Sequence, residues 1–434
     1  MLMILMYFNP FSSIHWKMSI SLNTMTLLFL FIPLNFFPSY LSMNMGCDIY
    51  SYLLLILTSY IFSLAILSSN NFLKLKKLFF LIALLMKMLY LSFMFTNFML
   101  FYLFFELSLI PMIMIIMGWG TKIERMQASM YFLFYTMSSS LPLLYFLIMF
   151  YFKNMSYFYF FSHFNMKYNN MITILFFLAF LVKLPMYGFH LWLPKAHVES
   201  PVMGSMILAG VLLKLGGYGI IRIMNIMFEM IYKMNWFLIS FSTWGGFMIS
   251  LLCFNQMDMK VIVAFSSISH MSLLIGAIFS NYNLGMNSSV LMMMSHGLTS
   301  SGMFFMVNVF YERTKSRSLL KNKGLTNMSP NMSLCSFLII SSSMGVPPSI
   351  NLLSELLLIY NILYMNTNLF FILFFSLLLS VMYSMYLFSF SFQGNIYSGM
   401  FFFKSIFMIE YLIMIIHWML SNLMILKSNF LMTF

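Results

Sequence analysis

Apolar positions in this chain run on for roughly twenty residues at a time and are separated by short polar loops, rather than alternating at a strand or amphipathic-helix period. About twenty residues of helix span the roughly 30 Å of a bilayer's hydrocarbon core. Read this way, the runs predict fourteen helices over 1–16, 20–42, 49–68, 78–96, 97–117, 127–151, 171–192, 201–224, 235–254, 260–280, 285–310, 331–364, 368–392 and 405–427. The expected fold class is an all-α polytopic membrane protein of about fourteen transmembrane helices. Residues 1–46 supply short N-terminal transmembrane helices, 47–400 the core and 401–434 a C-terminal transmembrane helix. The first segment, MLMILMYFNPF, has no basic n-region and no A-x-A-like site, so a removable signal peptide is not expected.

Two of these helices should be broken. VKLPMYG, 182–188, places Pro185 inside an apolar run, and GVPPS, 345–349, places Pro347 and Pro348 in another. Proline removes an i to i−4 hydrogen bond and clashes with the preceding turn, and freed carbonyls at membrane depth must be met by protein or by water in a cavity. Paired breaks in two halves point to inverted repeats with an ion site at the breaks. Such repeats are expected near 78–224 and 235–392.

Composition strengthens the membrane reading: 62% of residues are hydrophobic and 7% charged, against about a quarter charged in soluble domains. The net charge of +13 resides in loops. Alternating the helices across the membrane gathers Lys17, Lys74, Lys76, Lys77, Lys122, Arg125, Lys195, Lys260, Arg313, Lys315, Arg317, Lys321, Lys323 and Lys404 on one face. It leaves Lys153, Lys167, Arg222, Lys233 and Lys427 on the other, fourteen against five. The positive-inside rule assigns the crowded face to the side of synthesis and both termini to the opposite side. Topology thus accounts for the charge without a nucleic-acid partner. Cys47, Cys253 and Cys335 are far apart with no C-x-x-C spacing, which argues against a disulfide framework and a zinc site. The 50 Met and 53 Phe are spread along the whole chain, as AT-rich codon bias in a small organelle genome would leave them.

Glu106, Lys183, Lys214 and Glu355 are ionisable residues that lie well inside predicted helices. A charge at bilayer depth costs ~2.5–3.5 kcal/mol even on the insertion scale, and such residues mark ion or proton pathways. Two carboxylates and two ammonium groups allow pairing, and a carboxylate that approaches or leaves a lysine makes that lysine take up or release a proton. His270 in FSSISHMS and His296 in SHGLTSSG titrate in the physiological range. Hydroxyls beside them, including Ser266, Ser269 and Thr299, can orient water, so both stretches suit a relay from the lysines to Glu355. Lys260 is an accessory candidate at a predicted helix boundary, where a snorkelling lysine fits equally well. The plain readings are a structural ion pair for Glu106 with Lys183 and hydrogen-bonded packing for either histidine. His190, His197 and Glu199 have no zinc-type spacing. The glycines of KLGGYG suit close helix packing. With no nucleotide fold, iron–sulfur cysteine run or nucleophile with its base, the chain is expected to move ions rather than transform substrates.

LVKLPMYGFHLWLPKAHVESPVMGSM, LLKLGGYGIIR, FSSISHMS, SHGLTSSGMFF, NVFYERTKSR and PPSINLLSEL resemble the subunit 4 family of mitochondrial NADH dehydrogenase. The likeness runs from about residue 47 to the end, and FFELSLIPMIMIIMGWG and ERMQASMYFLFYT fit as well. It implies an antiporter-like, proton-pumping subunit of the membrane arm of respiratory complex I, in the mitochondrial inner membrane with basic loops toward the matrix. The implied fold has two inverted five-helix repeats and broken seventh and twelfth helices. By motif, Glu106 is the fifth-helix carboxylate paired with Lys183 on the seventh, and Lys214 is the central lysine of the eighth. His270 and His296 then lie on the connecting path, and Glu355 is the carboxylate of the twelfth helix. The resemblance further implies no cofactor or metal in this chain: NADH, FMN, iron–sulfur clusters and ubiquinone belong to other subunits of a complex that passes electrons from NADH to ubiquinone. Implied partners are neighbouring membrane-arm subunits and phospholipids. A freestanding cation/proton antiporter of the related family, and a structural connector without its own proton path, are the alternatives. The short N-terminal region, with Pro10 and Pro38, departs from the family pattern.

Overall fold

A computed structural model describes residues 45–69, 75–154, 170–224, 234–396 and 405–427. The expected helices 1–16 and 20–42 lie outside these residues, as do Lys17, Lys74, Lys167, Lys233 and Lys404. The described helices are α1 (Ile49–Leu67), α2 (Leu75–Met94), α3 (Phe98–Leu107), α4 (Leu109–Trp119), α5 (Arg125–Asn154), α6 (Asn170–Lys183), α7 (Trp192–Glu199) and α8 (Val202–Met224). They continue with α9 (Asn235–Cys253), α10 (Met259–Ile278), α11 (Asn283–Thr314), α12 (Pro330–Ser343), α13 (Ile350–Met365), α14 (Phe370–Phe392) and α15 (Met408–Leu423). Ten stretches among them are long and apolar enough to cross a membrane. Met45 with Phe95 and Asp258 with Ser318 form isolated bridges, and the described residues contain no strand longer than a bridge.

Both expected breaks are present, and the groups that proline frees are met by protein. Pro185 separates α6 from α7; the Leu181 carbonyl, which a helical residue 185 would engage, accepts instead from the Met186 N–H at 3.1 Å. The neighbouring Val182 carbonyl accepts from the Trp192 indole at 3.0 Å. At the second break, between α12 and α13, Pro347 frees the Ser343 carbonyl, and the Asn351 amide donates to it at 3.1 Å. Gly188 (φ +91°) and Gly345 (φ +75°) take the left-handed conformations that the two breaks require. Irregular backbone is thereby tolerated at depth because protein satisfies it.

α8 and α11 form the centre. Both are wholly enclosed by protein along their apolar windows, whereas α14 and α15 are 28% buried there. α11 packs on α1, α8, α10, α12, α13 and α15. Its hydroxyl-rich turns carry no lipid-facing stripe, as expected of a helix covered on every side. Close approach is set by Gly216 in α8, where an added methyl would lie 3.0 Å from the Leu184 nitrogen and 3.1 Å from the Phe180 carbonyl oxygen.

Cross-links between loops define two ends of the bundle. At one end Met259 N–H donates to Arg317 O (3.0 Å), Leu319 N–H to Met257 O (2.9 Å), Thr121 N–H to Glu199 O (3.3 Å), and the Arg317 guanidinium to Thr121. Arg313 grips Glu410 with both guanidinium nitrogens, one at 2.8 Å. At the other end Gly46 N–H donates to Met94 O (2.9 Å), Arg222 pairs with Asp48, and Tyr50 donates to Asn287 (2.7 Å). The first end carries Lys122, Arg125, Lys260, Arg313, Lys315, Arg317, Lys321 and Lys323, and Arg222 lies at the second, as the alternation of helices requires.

Candidate functional site

Glu106, which is half-buried, and the buried Lys183, Lys214 and Glu355 each sit beside an irregularity in a helix. Glu106 lies two residues before a turn at Ser108 that separates α3 from α4, and Lys183 closes α6 at the first break. A π-helical turn, Leu208–Leu212, ends two residues before Lys214 inside α8, and Glu355 stands in the second turn of α13, just after the second break. π turns and breaks expose backbone groups that an ordinary helix hides. Lys214 uses one directly: its ammonium donates to the Ala209 carbonyl, five residues back, at 2.5 Å.

From Lys214 a line of polar side chains crosses the centre. The ammonium lies 3.1 Å from His296 Nδ1, and the His296 and His270 rings are 5.7 Å apart between centroids. His270 Nδ1 is 3.2 Å from Glu355 Oε1, while its Nε2 faces the Tyr383 hydroxyl at 3.4 Å. Asn351 fixes the carboxylate, donating to Glu355 Oε1 at 2.9 Å, and its own oxygen accepts from Ser295 at 3.1 Å. Tyr383 also meets Ser269 at 3.1 Å. Between the two histidines a cavity of about 20 Å³ is lined by Ser266, Thr299, Ser300, Ser343, Tyr383 and Ser384. That is room for about one water, with several hydroxyls to hold it. Lys214, His296, His270 and Glu355 therefore form one hydrogen-bonded or water-bridged file.

Lys183 and Glu106 are near each other without being in contact. The Lys183 ammonium donates to the Phe105 carbonyl at 2.9 Å and lies 2.8 Å from the centroid of the Phe105 ring. Both Glu106 oxygens are shielded from solvent and have no hydrogen-bond partner. The expected direct pair is thus replaced by a lysine seated on the backbone one residue earlier. In a helix, Phe105 and Glu106 point about 100° apart, so the lysine meets one and misses the other.

Lys260 is not on the file. It is 2% exposed, donates to the Ser200 carbonyl at 3.3 Å, and lines a cavity of about 410 Å³ at the basic end with Asn308, Glu312, Arg313 and Lys315. His197 stacks flat on Phe304, centroids 4.4 Å apart, with neither ring nitrogen hydrogen-bonded. Among the described residues no three His, Cys, Asp or Glu side chains converge in a way that could hold a metal ion. Sequence reasoning missed Tyr383, Asn351 and the π turn: the first two are a single hydroxyl and amide on ordinary apolar helices, and the third arises from packing.

Broken helices enclosing a buried file of lysine, histidine and glutamate define a polytopic membrane protein of the antiporter-like class. The comparisons agree: residues 96–382 match the model of the NADH:quinone oxidoreductase/Mrp antiporter transmembrane family, and residues 1–96 that of the NADH-ubiquinone oxidoreductase chain 4 amino terminus. The chain belongs to the NADH-ubiquinone oxidoreductase chain 4 family. It is 43% identical to chain 4 of Ceratitis capitata over 94% of this chain and 92% of the relative, and 47% identical to that of Aedes aegypti over 76% and 74%. In fold it resembles a chain of "Respiratory complex I from Thermus thermophilus with bound NADH", with a TM-score of 0.85, 21% identity, and 96% of this chain and 91% of that one covered. A chain of the Mrp complex from Dietzia sp. DQ12-45-1b gives a TM-score of 0.83 at 17% identity, covering 95% of this chain and 47% of that one.

Proposed function

We propose that this chain is a proton-translocating subunit in the membrane arm of respiratory complex I, in the mitochondrial inner membrane with its basic end toward the matrix. The observation that carries this is the file Lys214–His296–His270–Glu355, buried at the centre of the bundle and joined by contacts of 3.1 and 3.2 Å and a histidine pair flanking a water-sized cavity. A proton held at Lys214 passes to His296, through water to His270, and on to Glu355, while Asn351 and Tyr383 hold the ends of that segment. Lys183, held off Glu106 by the Phe105 carbonyl, is the group whose movement toward the carboxylate changes the field at the file. The breaks beside Lys183 and Glu355 occupy matching places in the repeats proposed near 78–224 and 235–392. The electron carriers NADH, FMN, iron–sulfur clusters and ubiquinone are assigned to other subunits.

Gentle detergent extraction tests the assignment: the chain should migrate with a large NADH-oxidising particle. Migration as a small particle without that activity would instead favour a freestanding antiporter, a reading that the shared fold with the Mrp chain keeps in view. The 43% identity across 92% of a respiratory chain 4 favours the first.

A further inference from the structure

Lys87 stands apart from every charge discussed so far. It lies in the middle of α2, where only it and Phe80, two helical turns earlier, are exposed beyond Lys77. It is seven residues from the end at Met94, or about 10 Å at the helical rise, and twelve residues, about 18 Å, from the start at Leu75. The nearer surface does not rescue it. The Cα–Cβ bonds of a helix lean toward its N-terminus, so the Lys87 stem starts away from the Met94 end. To reach a phosphate headgroup at that interface the stem has to turn back along the helix.

Among the described residues no anion pairs with it. Of its nine side-chain carboxylates, eight are described, and no ion pair joins any of them to Lys87. The ninth, Glu229, belongs to 225–233, past the end of α8. Residues 1–44 contain no Asp or Glu at all. α3 and α4, which pack on α2, expose Leu103, Leu107, Ile110 and Met114 at the spacing of one helical stripe, an apolar seat for a partner helix.

We propose that the α2 face around Lys87 is a protein interface, in which this ammonium pairs at membrane depth with an Asp or Glu on a helix of a neighbouring membrane subunit. The partner is defined by charge complementarity: an exposed cation held at this depth calls for a carboxylate carried into the membrane beside it. The proposal rests on the reading of the chain as part of a larger complex.

The test uses the native particle, extracted gently and treated with membrane-permeant dicyclohexylcarbodiimide. The reagent activates a carboxyl in an apolar site, an adjacent amine displaces the urea, and an amide remains with net loss of one water. Mass spectrometry should find a Lys87 peptide joined to an acidic peptide of another chain. A link to Glu229 of this chain, or Lys87 open to reductive methylation in the intact particle, overturns the interface. Two variants give an independent readout. Lys87→Glu should lower incorporation into the large particle by more than about tenfold through like-charge repulsion, and Lys87→Leu by less. A lysine facing lipid instead predicts that Lys87→Leu incorporates as well as the parent. A link to another chain within a small particle devoid of NADH oxidation would keep the interface while removing the respiratory assignment.

Discussion

Gly216 is where the two lysine-bearing helices come closest, and filling that contact tests whether the site depends on it. A methyl there would stand 3.0 Å from Leu184 N and 3.1 Å from Phe180 O, both backbone atoms that cannot rotate away. Gly216→Ala gains about 1 kcal/mol of helix propensity, against an overpacking cost of ~1–3 kcal/mol, for a net loss of about 0–2 kcal/mol. Gly216→Val puts two more methyl groups in the same place with a poorer helix former, so its cost lies at or above about 3 kcal/mol. At 1.4 kcal/mol per tenfold, that lowers the folded-to-unfolded ratio about a hundredfold. The assay is the amount of assembled complex that survives graded heating in mild detergent, read on a native gel. The expected order is wild type, then Ala, then Val well below both. A valine variant as heat-resistant as the parent would mean that α6 and α8 do not approach as described, and the position of Lys183 relative to Lys214 would have to be redrawn.

Three other outcomes are expected. Glu106→Gln should assemble normally, because the carboxylate has no hydrogen-bond partner to lose, yet translocate fewer protons per NADH; loss of assembly would show that the residue is structural. Glu410→Ala removes the two-pronged partner of the buried Arg313, leaves it the longer 3.7 Å ion pair with Glu312, and removes the acceptor of the Phe407 N–H at 2.9 Å, at a cost of up to about 3–5 kcal/mol. Proteolysis at the basic end of α15 should then quicken, and unchanged resistance would count against that clamp. Trp192→Phe removes the donor to the Val182 carbonyl and leaves a buried acceptor unmet at about 1–3 kcal/mol, so thermal stability of the complex should fall; a phenylalanine variant of full stability would mean that water replaces the indole.

How much of this was legible follows physical lines. Long apolar runs located the described membrane helices to within a few residues, because a bilayer imposes length and hydropathy locally. The proline breaks were legible for the same reason, and so were Glu106, Lys183, Lys214, His270, His296 and Glu355, each of which stands out as a polar group in an apolar run. What could not be read depends on residues far apart in sequence. The π turn before Lys214 fits against α11, where Gly297 leaves room for the Gly210 carbonyl, 3.1 Å from where a methyl would stand. The lysine's acceptor, Ala209 O, is a backbone atom, and neither atom advertises itself. The expected Glu106–Lys183 contact overlooked that a nearby carbonyl competes with a carboxylate for a buried ammonium. Lys87 likewise stands as a charge in the apolar run 78–96; that it is exposed where the other lysines of such runs are buried is what a single sequence does not report.

The central claim is that Lys214, His296, His270 and Glu355 carry protons. The most direct measurement is the number of protons translocated per NADH oxidised by the assembled complex in sealed vesicles, for Lys214→Met beside the parent, with assembly checked in the same preparation. The account predicts a lower proton count or a matching loss of turnover in a complex that still assembles. A fully assembled Lys214→Met complex with unchanged turnover and an unchanged proton count would contradict it.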